Sequence, residues 1–477
     1  MSKKIIYLLF LVVALILAFA SCKKDNGLNP TVFKSNPNKE EVIKTNTGGL
    51  YKDWDSIKDL TVIQDFPVID ESKSDKYYYR NPIIVSLVDN AIIMIIEKRI
   101  GFKGSENDIG INGEGPVDIV YSTSFGGDYW TPLSTFGNNI FGDSSTGADD
   151  AVSSPIVYYK KPSSGNTTKM YIIASAGAGL SRTDTAYSNR NPQSKLKYFV
   201  CDIYSSNKDI SITWKGDWKE LTITDPSLSD IQFGTHSARG VFISDNKLVL
   251  PIITADLGVN NNIKDAMGVK FFEIQISADK NTLTMGNQIG TTIEFDKDSS
   301  GKFSMYKEVE AVAYDTDKVT YLAVPNPSRN NYTMGKGDSS SQTVTALTGL
   351  KGSEGSFGFL KINNGWYGAQ EYNPNAYASN PSTAGNSAGS TVSTAILFSH
   401  VASKVGKNYL YILNSDYTPK GGGLQIAKTS KSSSIDILSD GTIIMATEKE
   451  RNPNVDGNKF SIFFSRYTQK YLAENIK

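Results

Sequence analysis

Short runs of β-branched and aromatic residues recur along the chain from Leu50 onward, and this recurrence constrains the fold more than any other feature of the sequence. Gly, Asn, Asp and Ser are frequent between the runs, and there is little sustained helical periodicity. This pattern predicts an all-β fold. The clearest runs are Ile83–Leu87, Ile92–Ile96, Ile156–Tyr159, Met170–Ala174, Val241–Ile243, Leu248–Ile253, Val319–Val324, Ala395–Phe398, Tyr409–Leu413, Ile443–Ala446 and Phe460–Phe464.

Tight polar turns separate several of these runs. Asp89-Asn90, Asp245-Asn246 and Asp440-Gly441 each lie between two runs, and such pairs suit hairpins that need positive φ angles. Hairpins repeated over this length favour a β-propeller, in which small antiparallel sheets surround a central channel. A pair of two-sheet sandwiches is the alternative. The segment from Gln370 to Thr394, rich in Asn, Ser, Ala and Gly, is predicted to be a long mobile loop inside one blade.

Charge and metal-binding residue types exclude two classes of partner. Lys+Arg and Asp+Glu both number 49, so no basic excess would attract nucleic acid, and we predict no nucleic-acid binding. The two histidines, His236 and His400, lie far apart in sequence, as do the two cysteines, Cys22 and Cys201. We therefore predict no metal site and no cofactor. Cys201 lies in an apolar run and is predicted to be a buried small hydrophobe.

The N-terminal residues indicate export and lipidation. Lys3 and Lys4 precede an apolar run that ends at Ala20-Ser21-Cys22, which resembles the bacterial lipobox. We predict a signal peptide over 1–21, a flexible polar tether over 22–48, and a folded domain over 49–477. A plain signal peptide with an incidental Cys is the alternative. The protein would then reside in the bacterial cell envelope and contact the membrane through the Cys22 lipid alone.

A series of motifs begins at Arg80-Asn81-Pro82. Arg99 follows at the end of the next run, and then comes the loop Ser105-Glu106-Asn107-Asp108. In this order the residues resemble the sialidase (neuraminidase) superfamily of six-bladed β-propellers. The resemblance covers roughly Tyr79 to Tyr471, and it implies a six-bladed propeller over the folded domain.

That family also carries Asp-boxes, which are turns at the blade edges. Ser122–Trp130 is a degenerate copy with Ser124 in the Asp position, and Ser205–Trp214 is a stretched second copy. We expect Trp130 and Trp214 to be turn core rather than sugar platforms. Near the C-terminus, Leu438–Glu448 is similar to the last blade, where the family's Glu orients the first Arg. The resemblance therefore implies that Glu448 pairs with Arg80.

The resemblance implies a role for each of a small set of residues. Asp108 would be the acid/base, and either Glu308 or Glu310 would be the catalytic Glu. Guanidinium groups suit a sugar carboxylate because they give planar, bidentate contacts. The substrate-binding set would be Arg80, Arg99, Arg329, Lys407 and Glu448.

Each of these assignments has a structural alternative. Arg80 and Glu448 could form a buried ion pair without a ligand, and Asp108 could be a solvated turn residue. Glu308 and Glu310 share a face of the predicted strand, which could be solvent or pocket.

The sequence departs from the family at the nucleophile. The family's Tyr falls at Ser432, whose hydroxyl is shorter and less acidic than a phenol. Lys407 stands in place of the third Arg, Arg329 lies late for the second, and Ser154 replaces an Asp before Pro155. The catalytic set is therefore incomplete.

Three functions are consistent with these residues. The first is a sialidase-like exo-glycosidase that removes terminal sialic or related acidic sugars from glycoconjugates. The second is a non-catalytic glycan-binding lipoprotein of a surface carbohydrate-uptake system. The third is a propeller scaffold for components of an outer-membrane uptake complex. The first two share one predicted partner, an acidic glycan or sialoglycoconjugate.

Overall fold

The structure is a computed structural model that describes part of the chain. The described residues are 63–69, 77–100, 117–127, 129–137, 151–177, 194–206, 209–229, 231–257, 263–294, 309–315, 318–326, 331–337, 342–347, 357–366, 393–401, 406–413, 419, 421–438, 442–450, 460–467, 471–472 and 475–476. Among them, no helix is both long enough and apolar enough to span a membrane.

The described residues are almost entirely β-strands, as predicted. The first half of the chain contains β1 (Ile63–Ile69), β2 (Tyr77–Ser86), β3 (Ala91–Ile100), β4 (Val117–Phe125), β5 (Ser134–Thr135), β6 (Ser153–Tyr159), β7 (Thr167–Gly177), β8 (Ser194–Ser205), β9 (Ile210–Trp214), β10 (Lys219–Glu220), β11 (Gln232–Gly234), β12 (Ala238–Arg239) and β13 (Val241–Ser244). The second half contains β14 (Lys247–Leu257), β15 (Ile263–Ile276), β16 (Leu283–Glu294), β17 (Val309–Asp315), β18 (Lys318–Asn326), β19 (Asn331–Gly337), β20 (Gln342–Leu347), β21 (Phe357–Trp366), β22 (Ser393–Val401), β23 (Gly406–Leu413), β24 (Leu424–Ile437), β25 (Ile443–Glu450) and β26 (Phe460–Tyr467). Every run of β-branched and aromatic residues named above lies in one of these strands, except that Leu87 follows the end of β2.

In the described part of the chain these strands form five sheets. Sheet 1 is β2-β3-β4-β5, sheet 2 is β10-β8-β7-β6-β12 with β9 on β8, and sheet 3 is β11-β14-β15-β16 with β13 on β14. Sheet 4 is β17-β18-β19-β20, and sheet 5 is β1-β26-β25-β24-β23-β22-β21. Consecutive sheets lie side by side, and β2 of sheet 1 also lies against β24, β25 and β26 of sheet 5. The sheets therefore close into the ring of a β-propeller rather than stacking as sandwiches.

The ring closes through the first described strand. β1 pairs antiparallel with β26, with Phe66 opposite Phe464, so residues from opposite ends of the sequence share sheet 5. This pairing covers an edge of β26 that would otherwise present unpaired backbone groups.

Sheet 5 has seven strands because β24 is shared. The N-terminal part of β24 pairs with β23 up to Ser430, and its C-terminal part pairs with β25 from Ser430 onward. Sheet 5 thus has the strands of two blades joined by one long strand. The count of six blades stays a prediction.

Apolar side chains fill the spaces between sheets. The cluster between sheets 1 and 2 includes Ile95, Phe136 and Phe199, and it also includes Cys201 at 1% exposure. Burial raises the pKa of the Cys201 thiol well above its usual range, so the prediction that it is a buried hydrophobe is confirmed. A second cluster joins sheets 2 and 3. A third joins sheets 1 and 5 and contains Trp130.

The first degenerate Asp-box forms a hydrogen-bonded turn. Ser124 Oγ, in the Asp position, accepts from the Gly127 N–H at 3.1 Å, and Trp130 Nε1–H donates to the Gly127 carbonyl at 3.1 Å. Trp130 is fully buried and packs edge-on against Phe464 at 5.3 Å. Its predicted role as turn core is confirmed.

The predicted hairpin turns have mixed outcomes. Asp89 and Asn90 have φ angles of 54° and 60°, as a tight primed turn requires. Asp245 and Asn246 also join two paired strands, β13 and β14, but neither has a positive φ, so the prediction of positive φ was wrong there. The predicted mobile loop lies outside the described residues except at its C-terminal end, which belongs to β22. The strands on either side of the loop, β21 and β22, pair with each other in sheet 5. The signal peptide and tether also lie outside the described residues.

We predict that Gly127→Ala destabilises the protein more than Gly165→Ala. Both glycines have a positive φ, at 94° and 74°, so each substitution costs about 1 kcal/mol of backbone strain. A Cβ on Gly127 would also overlap the ring of Phe464, whereas nothing lies within 4 Å of a Cβ on Gly165. We expect Gly127→Ala to lower the free energy of unfolding by about 1–3 kcal/mol more than Gly165→Ala does. Denaturant unfolding would measure both values. Equal losses would contradict the packing of Phe464 on this turn.

Candidate ligand-binding site

The candidate site lies where the inner strand β2 is interrupted by a β-bulge. Asn81 and Pro82 together oppose the single residue Ile96 of β3, and Asn81 has a φ of 55°. Bulges bend a strand and re-aim the neighbouring side chains. Arg80, which precedes the bulge, contacts sheet 5.

Glu448 of β25 binds both the side chain and the backbone of this bulge. Arg80 Nε–H donates to Glu448 Oε1 at 3.0 Å, and the Asn81 backbone N–H donates to the same oxygen. Arg80 is 7% exposed and Glu448 is fully buried. A buried charge is costly unless it is paired, so the ion pair fixes the guanidinium. The predicted pairing is present, while the roles of both residues in ligand binding stay predictions.

A second bulge lies on β24, directly opposite Glu448. Two residues of β24, Lys431 and Ser432, oppose this one residue of β25. Ser432 is 5% exposed. Among the described residues, neither Ser432 Oγ nor Glu448 Oε2 has a hydrogen-bond partner. Ser432 thus lies across the β24–β25 ladder from Glu448, next to the Arg80–Glu448 pair.

Four described tyrosines have a pKa shifted away from that of an activated phenol. Burial raises the pKa of Tyr121 and Tyr158, and it raises the pKa of Tyr159 and Tyr171 to about 12. A nucleophilic phenol needs a pKa shifted in the opposite direction or a nearby base. Among the described tyrosines with a shifted pKa, none meets the first condition.

Glu97 of β3 forms a second carboxylate centre next to the first. Arg80 and Glu97 are directly opposite each other in the β2–β3 ladder. Glu97 Oε2 accepts from Arg99 Nε–H at 2.9 Å and from Arg99 Nη2–H. Glu97 Oε1 accepts from the Ser154 backbone N–H at 2.6 Å and from Ser237 Oγ–H at 3.1 Å. The carboxylate is fully buried and joins sheets 1 and 2 to the segment between β11 and β12.

Ser154 lies in a third bulge, on the inner strand β6. Ser154 and Pro155 together oppose Ala174 of β7, and Ser154 has a φ of 52°. The residue that the family pattern would make an Asp therefore contributes its backbone N–H, which Glu97 binds.

The same kind of contact joins sheets 2 and 3. Ser175 Oγ of β7 accepts from the Thr235 backbone N–H at 2.7 Å and lies 2.9 Å from Thr235 Oγ1. Thr235 Oγ1–H in turn donates to the Ser154 carbonyl at 2.6 Å. A network of hydrogen bonds therefore runs from Glu97 across sheets 1, 2 and 3.

A third buried carboxylate lies further along the inner strands. Asp436 of β24 forms an ion pair with Arg239 of β12 at 2.7 Å, and Asp436 Oδ2 accepts from the Ser86 backbone N–H at 2.7 Å. Because β12 pairs with sheet 2 and β24 belongs to sheet 5, this ion pair connects two sheets that are not consecutive in the chain.

The structure brings together some of the predicted site residues. Arg80 pairs with Glu448, and Arg99 lies in the neighbouring centre with Glu97, where it is 1% exposed. Lys407 is exposed on β23. Glu310 is in β17, opposite Leu322 of β18, and its side chain lies outside the described residues. The remaining predicted residues, which lie wholly outside the described residues, are Cys22, Asp108, Glu308 and Arg329.

Glu97 and Ser237 were not predicted from the sequence. A usable signal was present, because Ile92–Lys98 and Ile443–Lys449 both read Ile-Ile-Met-x-x-Glu-Lys, and the Glu of each copy is a buried carboxylate centre. The repeat predicts equivalent strands in two blades, with Glu97 equivalent to Glu448.

Comparison with known proteins gives structural matches. No protein-family model matches the sequence, and no curated protein matches it. The intramolecular trans-sialidase of Ruminococcus gnavus, solved with oseltamivir carboxylate, matches with a TM-score of 0.50 at 11% identity, over 83% of this chain and 95% of that chain. The NanB sialidase of Streptococcus pneumoniae matches with a TM-score of 0.48 at 9% identity, over 83% and 69%. A protein of unknown function from Dyadobacter fermentans matches with a TM-score of 0.48 at 12% identity, over 85% and 96%.

The match to the trans-sialidase concerns the fold. The match extends over most of both chains, and the described strands form sheets arranged in a ring. The chain has a sialidase-like β-propeller fold.

Proposed function

We propose that this protein recognises the carboxylate of a terminal acidic sugar of the sialic acid class, and that Arg80 is the residue that binds it. The observation that supports the proposal is the buried Arg80–Glu448 pair, which holds a guanidinium at the bulge of an inner strand. The trans-sialidase of the same fold was solved with oseltamivir carboxylate, which makes a carboxylate ligand the first to test.

The charge balance of the site determines how such a ligand would be recognised. Arg80 is balanced by Glu448, and Arg99 is balanced by Glu97, so neither pair carries net charge. Attraction of a sugar carboxylate would then depend on the directed N–H donors of a fixed guanidinium more than on net positive potential. A lysine ammonium keeps the charge but lacks the planar fork.

We predict that the purified domain binds N-acetylneuraminic acid and that Arg80→Lys weakens this binding about ten-fold or more, because the fork geometry is lost. Isothermal titration calorimetry would measure both affinities. The methyl ester of the same sugar is the matched ligand control, since it keeps every hydroxyl but has no carboxylate. Lys195→Met, which breaks a largely exposed ion pair with Glu220, is the protein control. Equal binding of acid and ester by the unmodified protein would exclude the proposal.

Hydrolysis of a sialoside is the second candidate function, and one observation favours it. Segment 101–116, which carries Asp108, connects β3 to β4, and Arg99 pairs with Val117 across these strands. Arg99 and Val117, the described residues on either side of that segment, therefore lie at the Glu97–Arg99 centre. Because the resemblance puts Ser432 where the family has its phenol, we propose that water is the attacking group and that Asp108 is the general acid.

We predict that any release of a fluorogenic sialoside is lost in Asp108→Ala, because the leaving group then has no proton donor, and that the product forms with inversion, because no tyrosyl intermediate precedes it. Fluorescence would follow release, and NMR would assign the first-formed anomer. Asp89→Ala, in an exposed turn of sheet 1, is the matched control. Release that is equal in Asp108→Ala and the unmodified protein would exclude this assignment, and retention of configuration would exclude the water mechanism.

We further propose that Cys22 carries a lipid that anchors the domain to the bacterial envelope, where partners in glycan uptake would meet it. The support is the sequence pattern that ends at Ala20-Ser21-Cys22. Two lipid signals or more are needed for stable anchoring, and a bacterial lipoprotein cysteine supplies them at one residue.

We predict that Cys22→Ser moves the expressed protein from the detergent-soluble membrane fraction to the aqueous fraction, measured by Triton X-114 partitioning. Cys201→Ser is the control, since this buried thiol has no role in anchoring. Unchanged partitioning of Cys22→Ser would rule out the anchor.

A further inference from the structure

The same kind of hydrogen bond occurs at three neighbouring junctions between sheets, near Arg80. In each junction a side chain of one sheet accepts from a backbone N–H that lies in the first strand of the next sheet or directly after that strand. The three bonds are Asn81 N–H to Glu448, Ser154 N–H to Glu97, and Thr235 N–H to Ser175. This end of the ring is therefore assembled by repeated use of one contact.

The two glutamate junctions differ in how fully the carboxylate is used. Among the described residues, Glu448 Oε1 accepts two hydrogen bonds and Glu448 Oε2 accepts none. Both oxygens of Glu97 are in use, because Arg99 donates to Oε2, and Ser154 and Ser237 donate to Oε1. Glu97 is therefore the more constrained centre, and it is the one that connects three separate segments of the chain.

We infer that Glu97 is a positioning residue for the acidic-sugar site. It acts through Arg99, through the bulge at Ser154 and through Ser237, and it lies directly opposite Arg80 in the β2–β3 ladder. This role rests on the proposed function, because it assigns to Glu97 the placing of the wall next to the residue that binds the sugar. Nothing in its geometry places Glu97 in contact with the ligand, since its side chain is fully buried.

The consequence of neutralising Glu97 follows from its partners. All of its bonds are accepted from donors, so the amide of Glu97→Gln would present N–H groups to at least one donor that needs an acceptor. Arg99 would also lose its buried counter-charge. The Ser154 bulge and the Ser237 segment would then be released from β3, whereas the Asn81 junction, held by Glu448, would stay intact.

The test combines hydrogen–deuterium exchange with ligand affinity in the Glu97→Gln domain. We expect faster exchange of the amides around Ser154 and Ser237 and unchanged exchange of the Asn81 amide, which serves as the internal reference. We also expect the affinity for N-acetylneuraminic acid to fall about ten-fold and the preference for the acid over its methyl ester to shrink. A purely structural residue would lower the folded fraction without changing that preference.

Two further variants make the outcome decisive. Ser237→Ala removes one of the bonds to Glu97 and keeps the ion pair with Arg99, so we expect a smaller loss of affinity. This variant replaces Glu97→Gln in the test if Glu97→Gln does not fold. Glu273→Gln, which alters a partly exposed pair with Lys247 in sheet 3, is the matched carboxylate-to-amide control.

The outcomes separate this inference from the function on which it rests. Faster exchange at Ser154 and Ser237 with unchanged acid-to-ester preference overturns the positioning role, as does unchanged exchange. If the unmodified domain binds neither acid nor ester, the proposed function fails, and the exchange pattern alone decides whether Glu97 places these segments.

Discussion

The backbone N–H groups on the inner edges of the sheets need hydrogen-bond acceptors, and side chains of the neighbouring sheet provide them. β2 is the edge strand of sheet 1, so its N–H groups facing the axis have no ladder partner in that sheet. Three of them donate to side chains of sheet 5: Asn81 to Glu448, Ile84 to Ser434 and Ser86 to Asp436. Because each acceptor sits in a different sheet from its donor, satisfying the inner edge also fixes the sheets against each other.

This solution brings charge into the interior, and the arginines follow from it. A carboxylate accepts backbone N–H groups well but is costly to bury alone. Each of the three described carboxylates that caps an inner-strand N–H also binds an arginine: Glu448 binds Arg80, Glu97 binds Arg99, and Asp436 binds Arg239. The guanidinium groups of the candidate site are thus fixed by the same ion pairs that hold the sheets together. A ligand would only have to reach one of these guanidinium groups to be bound by it.

The sequence predicted the strands well because their apolar side chains are buried between sheets and therefore repeat in short, recognisable runs. It also paired Arg80 with Glu448, although 368 positions separate them, because both belong to recognisable motifs. Glu97 was predictable from the repeat that Ile92–Lys98 shares with Ile443–Lys449, but its contact with Ser154 was not, because Ser154 contributes only its backbone N–H. A proline in Asn81-Pro82 and in Ser154-Pro155 is the only sign of these two bulges in the sequence. A bulge is defined by the register with the partner strand, which the sequence of one strand does not contain.

The neutrality of the arginine–carboxylate pairs bears on what the site can select. An excess of positive charge would attract any anion, and salt would weaken that attraction. A guanidinium already balanced by Glu448 has little net field, so an inorganic anion gains little from approaching it. A sugar carboxylate held beside its own hydroxyl groups could add hydrogen bonds to polar groups near the pair, such as the Ser432 hydroxyl on the strand opposite Glu448. Selectivity at such a site would come from the fit of a polyhydroxylated acid rather than from its charge, and it would depend on the rigidity of the wall that Glu97 holds in place.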